Sequence, residues 1–104
     1  MDFFEMNFSE LFCKKHGKEI FESIVKQITE EKSKNCNNEY IEKIFKFTFL
    51  EHIGLKDNEI KKLLEDILKC EVDVLEIRDI HKSSICEIKK YLQDSMNEII
   101  ADNL

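Results

Sequence analysis

Between Tyr40 and Ile53 the chain reads YIEKIFKFTFLEHI, and two secondary structures compete for it. Ile41, Ile44, Phe45, Thr48 and His52 recur at helical spacing. Phe45, Phe47 and Phe49 alternate with Lys46 and Thr48, as on a half-buried strand. A helix here makes the chain all-α. A strand here makes it α+β, with a short sheet formed by residues 44–50 and 72–80. Gly54 closes the segment, and Leu55 stands where the apolar C″ residue of a Schellman-type stop belongs.

The segment that follows is unambiguous. Ile60, Leu63, Leu64, Ile67 and Leu68 form one helical face, and Lys61, Lys62, Glu65 and Asp66 form the other. Leu55 is placed to staple onto Ile60, and Asp57 and Glu59 suit the positive end of the helix. Upstream, Phe4, Phe8, Leu11 and Phe12 make a first stripe. Asn7 and Glu10 read as a capping box, and Lys14-Lys15-His16-Gly17 reads as a helix end with Gly17 in the left-handed C′ position. Ile20, Phe21, Ile24, Val25 and Ile28 make a second stripe. The polar break from Ser33 to Asn38 follows it, with Asn37 or Asn38 as the next cap.

The last third reads two ways. As one helix opening at Asp73, it carries Val74, Ile77, His81, Ser84 or Ile85, Ile88, Tyr91 or Leu92, Ser95 and Ile99, close to a coiled-coil repeat. As strand then helix, Val72 to Ile80 is the strand and Ser84-Ile85-Cys86-Glu87 is a capping box. The strand must then turn at Lys69-Cys70-Glu71, where no turn-forming residue stands. The balance favours a compact all-α bundle of four to five helices, a single domain over residues 1–104. Composition agrees. The 104 residues include two glycines and no proline, too few for the tight turns of an antiparallel β protein and for Gly-rich phosphate loops.

The charge balance excludes further classes. The chain carries 22 acids against 16 bases, net −6, and Arg78 is its one arginine beside 15 lysines. That argues against nucleic acid as the main partner, since phosphate contact relies on clustered Lys and Arg. Lys61-Lys62 and Lys89-Lys90 are the small basic points that a nucleic-acid-binding regulator, the weakest reading, would use. No apolar run approaches the length of a membrane span. No secretory pattern opens the chain, and a cytoplasmic location with free thiols at Cys13, Cys36, Cys70 and Cys86 is expected.

Enzyme and cofactor motifs are absent: there is no His-Glu-x-x-His, Gly-x-Ser-x-Gly, Walker sequence or di-iron Glu-x-x-His. Cys13 and His16, with His81 and Cys86, supply two thiols and two imidazoles for zinc, at spacings that fit no zinc-finger pattern. Cys13, beside Lys14, Lys15 and His16, is the one thiol with electropositive neighbours, a pattern equally suited to a helix C-terminal cap. No catalytic residue, metal or cofactor is assigned. The aromatic run Phe3, Phe4, Met6, Phe8, Leu11 and Phe12 suits a core helix better than a groove-binding anchor.

The remaining feature is the distribution of charge. Residues 71–104 hold eight acids and four bases, net −4, whereas residues 1–35 and 36–70 each carry net −1. Asp94, Glu98 and Asp102 repeat at helical spacing near the negative end of a helix, where carboxylates are disfavoured. Glu76 and Asp79 belong to a second acidic run. An acidic docking surface is therefore expected, with Tyr91 as its aromatic anchor and a partner protein of basic surface. The profile is that of a small non-enzymatic inhibitor or regulator of the antidote, immunity or phage-inhibitor type. The alternative is a helical structural subunit that forms a homodimer through the near-heptad of its C-terminal helix.

Overall fold

A computed structural model describes residues 5–82 and 86–103, the side chains of residues 86–88 excepted. Six α-helices and no strand lie among the described residues: α1 (Phe8–His16), α2 (Lys18–Lys32), α3 (Asn38–His52), α4 (Asp57–Leu68), α5 (Val74–Lys82) and α6 (Cys86–Asn103). Helix α3 is central and packs against α1, α4 and α6. Helix α1 also meets α2 and α6, and α5 packs on α6 and α2.

The central position of α3 resolves the ambiguity of residues 40–53. Ile41, Ile44, Phe45, Lys46, Phe47, Thr48 and Leu50 are all buried, on every side of the helix. A helix surrounded by its neighbours is apolar all round, so Phe45, Phe47 and Phe49 need no strand to account for their alternation. The short sheet of residues 44–50 and 72–80 is therefore replaced by α3 and by α5 with the two residues that lead into it. Asn37 caps α3 by accepting from Tyr40 N–H at 3.0 Å. At the other end, Leu55 N–H donates to Leu50 O and Gly54 N–H to Glu51 O, the Schellman pattern, with Gly54 at φ +101°.

The helix count exceeds the expected four to five because the last third divides in two. A single helix from Val74 to Asn103 would run about 45 Å at 1.5 Å per residue, whereas the longest dimension of the fold is 31 Å. The near-heptad positions are also occupied. Ile77, His81, Leu92, Ser95 and Ile99 are buried within the chain's own core, which leaves them unavailable as a seam between copies. The capping-box reading at Ser84 and Glu87, and the seam residues Ile85 and Ile88, lie outside the described residues and side chains. The chain does turn after α4 without a turn former. Lys69 takes the left-handed conformation, φ +57°, that glycine would supply more easily.

One further detail differs from expectation and one agrees with it. Gly17 ends α1 and begins α2 with no intervening loop, at φ +99° and ψ +147°, outside the left-handed helical region. The aromatic run enters the core, with Met6, Phe8 and Phe12 all buried. Phe3 and Phe4 lie outside the described residues.

The N-terminus of α1 is held from a distance. Its first N–H groups have no partner within the helix. Glu42 of α3 supplies one: Oε1 accepts from Phe8 N–H at 2.7 Å, and Oε2 accepts from Ser9 N–H at 2.7 Å and Ser9 Oγ at 2.9 Å. Asn7 Oδ1 takes Glu10 N–H at 3.1 Å, which completes the set. Lys46, one turn along α3, donates to Glu42 Oε1 at 2.9 Å and to Met6 O at 3.2 Å, and only 5 % of its side chain is exposed. Removing one member of a buried ion pair strands the other charge and destabilises by about 3–5 kcal/mol. Glu42→Leu is accordingly expected to lower the unfolding free energy by about that amount in urea denaturation. Glu42→Leu combined with Lys46→Met should be more stable than Glu42→Leu alone. Strict additivity of the two changes would show that the pair is not coupled.

Candidate functional site

Helix α6 buries Leu92, Met96 and Ile99 together with Ser95. Tyr91, Asp94, Glu98 and Asp102 fall within about 80° of helical arc along one border of that stripe. All four are exposed, so the spacing read in the sequence does produce a continuous strip. The strip faces the end of α1. Lys15 Nζ lies 2.5 Å from Asp102 Oδ2 and 3.9 Å from Glu98 Oε2. The hydrogen bond that Lys15 donates to Asp102, with the nearby charges of Asp102 and Glu98, holds the Lys15 ammonium above its usual range. The Tyr91 ring lies edge-on to Phe12 at 6.0 Å and 5.8 Å from the His16 ring, and remains 39 % exposed.

Glu76 and Asp79, on α5, do not join this strip. Glu76 pairs with Lys34, just beyond α2, and Lys34 also lies 4.7 Å from the centre of the Tyr40 ring. Burial, and then the Glu76 carboxylate, push the Tyr40 phenol well above its ordinary range. Asp79 is exposed, and among the described residues neither it nor Asp94 has an ion-pair partner. The acids of the last third therefore divide into two separate centres, each tied to a lysine from the first third.

A second polar cluster was not singled out by motif or spacing. Thr48 Oγ donates to Ile44 O at 2.7 Å and so accepts from His81 Nε2, 3.0 Å away. The proton of the neutral imidazole is thereby placed on Nε2. His81 Nδ1 is buried with no hydrogen-bond partner, 4.0 Å from Glu51 Oε2. Glu51 in turn receives Arg78 and, at 2.5 Å, Lys89, while Arg78 also reaches Asp57 and stacks 5.2 Å from the Phe47 ring. Burial, reinforced by Lys89 and Arg78, lowers His81 to about 4. Burial and Arg78 likewise pull Lys89 below its ordinary range. The order hydroxyl, imidazole, carboxylate resembles a nucleophile with its base and orienting acid. Here, however, Thr48 is 0 % exposed and its proton is committed to Ile44, so no substrate meets it. In the sequence Arg78 is marked as the sole arginine, His81 as a metal candidate and Lys89 as a basic point, and no spacing joins them into this cluster.

Thiol and metal candidates fare differently. Cys13, Cys36 and Cys70 are free. Burial pushes the Cys13 thiol up, with Lys18 opposing only in part, and Lys15 is engaged with α6. The electropositive setting expected around Cys13 therefore does not activate it. His81 presents Nε2 to Thr48, and among the described residues no group of three or more His, Cys, Asp or Glu side chains is placed to hold a metal ion. Cys13 and Cys70 both line a 460 Å³ cavity floored by Phe21 and Leu68. Glu42 also lines it, but its oxygens are already taken by Phe8, Ser9 and Lys46. Among the described residues, no helix is long and apolar enough to cross a membrane.

The Lys15 contacts lie at the surface, where ion pairs contribute little and are screened by salt. Lys15→Ala should lower the thermal midpoint slightly at low ionic strength, and the difference should vanish at about 1 M salt. A large, salt-independent drop would instead show that Lys15 holds α1 to α6 through its packing. Comparisons with protein-family models, curated proteins and solved structures found no match for this chain.

Proposed function

We propose that this chain is a non-enzymatic protein-binding module of the inhibitor or regulator type, which occludes a basic surface of a partner protein with the exposed strip of α6. The supporting observation is Tyr91 beside Asp94. An aromatic ring 39 % exposed is backed by Phe12 and His16, so it is already ordered before contact. Next to it stands a carboxylate with no cation of its own among the described residues. A preordered aromatic anchor loses little entropy on binding. Adjacent acids steer a basic surface toward it and reject acidic ones. A standard interface covers about 800 Å² per partner, about an eighth of the 6251 Å² surface.

Asp94 and Tyr91 are the positions to change, because Glu98 and Asp102 also bind Lys15, so that altering them changes the α1–α6 contact as well. Immobilised chain is expected to retain a protein of basic surface from a lysate of its source cells at low salt and to release it as salt rises. Asp94→Lys and Tyr91→Ala should each reduce that retention by about tenfold or more, the effect of losing roughly 1.4 kcal/mol. Equal retention by both variants would remove α6 as the contact surface.

A further inference from the structure

The His81 cluster joins four helices, three of them at the Glu51 carboxylate and α4 through Arg78. His81 and Arg78 come from α5, Glu51, Thr48 and Phe47 from α3, Asp57 from α4 and Lys89 from α6. These are the titratable, polar and aromatic groups that the described residues place around the imidazole. In the neutral state two cations, Arg78 and Lys89, face two carboxylates, Glu51 and Asp57, and charge is balanced. Nε2–H is committed to Thr48, so Nδ1 is the only atom of the ring that can take up a proton.

A proton at Nδ1 makes a third cation where 3 % of the side chain is exposed. The nearest carboxylate oxygen is Glu51 Oε2, at 4.0 Å, already engaged by Arg78. Glu51 can close on Nδ1 only by loosening Arg78 or Lys89, and water cannot screen the remainder. The least costly escape lies in α5. That helix has nine residues, whereas α3, next to it, is anchored on all sides. Short elements with few buried contacts open first.

We propose that the His81–Thr48–Glu51 contact is an acid-sensitive latch, and that proton uptake at His81 Nδ1 undocks α5 while α1 and α3 stay joined through Glu42 and Lys46. The inference is independent of any partner. The direction follows from the depressed titration of the docked imidazole, about 4, against about 6.5 when released. Docking is undiminished above pH 6.5 and weakens as pH falls toward 4. Between pH 7 and about pH 4.5 the opening equilibrium of α5 should rise roughly sixtyfold, the linkage of one proton across that window.

Amide hydrogen exchange of the whole chain, corrected for the intrinsic pH dependence of exchange, tests this. Protection over residues 74–82 should fall by about that factor between pH 7 and 4.5, and protection over residues 41–50 should hold. His81→Gln should abolish the pH-dependent part of the change. Should that variant fold poorly, the imidazole titration of the unaltered chain by NMR serves instead: proton uptake at His81 must coincide with opening of α5. Loss of protection in all helices together, persistence of α5 protection at pH 4.5, or titration of His81 near 6.5 with α5 still protected would each overturn the latch.

Discussion

The Glu42 carboxylate is the contact on which the arrangement of helices depends. Four hydrogen bonds converge on it, from Phe8 N–H, Ser9 N–H, Ser9 Oγ and Lys46 Nζ. It supplements Asn7 at the N-terminus of α1 although it belongs to α3. The positive end of the α1 dipole and the Lys46 ammonium both face it. Because these donors come from α1 and α3, the carboxylate fixes the first helix against the central one. Phe8 and Phe12 then enter the core from a defined direction, and Phe12 meets Phe21, Phe45 and Tyr91. The aromatic centre of the molecule, and the ring that stands at the edge of α6, are thus set by a polar contact.

None of this was visible in the spacing of residues. Glu42 and Lys46 stand four apart, the signature of an ordinary exposed ion pair on a helix, and nothing local marks them as buried. The acceptor for the first two N–H groups of α1 lies more than thirty residues downstream of Phe8, beyond the reach of any local motif. By contrast, contacts that span a few residues were legible. Asn7 and Asn37 cap where expected, and Gly54 and Leu55 form the expected stop. The clear stripe of α4 buries Ile60 and Leu64. What misled was the centre: Phe45, Phe47 and Phe49 alternate because the middle of α3, residues 44–48, is buried on every side, and period alone cannot distinguish that case from a strand.

The same division holds for the surface. The repeat Asp94, Glu98, Asp102 reads as a continuous acidic face, and α6 does display it. Its cation, Lys15, lies 87 residues from Asp102 in sequence and reads locally as a helix-end charge. Glu76 resembled a further member of the acidic group and instead holds Lys34. Local pattern therefore locates charge on an element, and only the packing of elements shows which charges are already answered. Asp94 and Tyr91 gain weight from that accounting because the described residues leave the one without an ion-pair partner and the other partly uncovered.

Gly17 carries a consequence about handedness. No atom lies within 4 Å of where its side chain would begin, so size does not restrict the position. Its backbone, at φ +99° and ψ +147°, is in a region that essentially only glycine occupies. Ser33 and Lys69 show that L-residues are accepted at φ +53° and +57°, where a helix simply ends. The joint between α1 and α2 is stricter, since it must end one helix and start another in a single residue. Among the natural amino acids the position is thus closed by chirality alone, and a residue of mirror configuration would fit the space that every L side chain must leave empty.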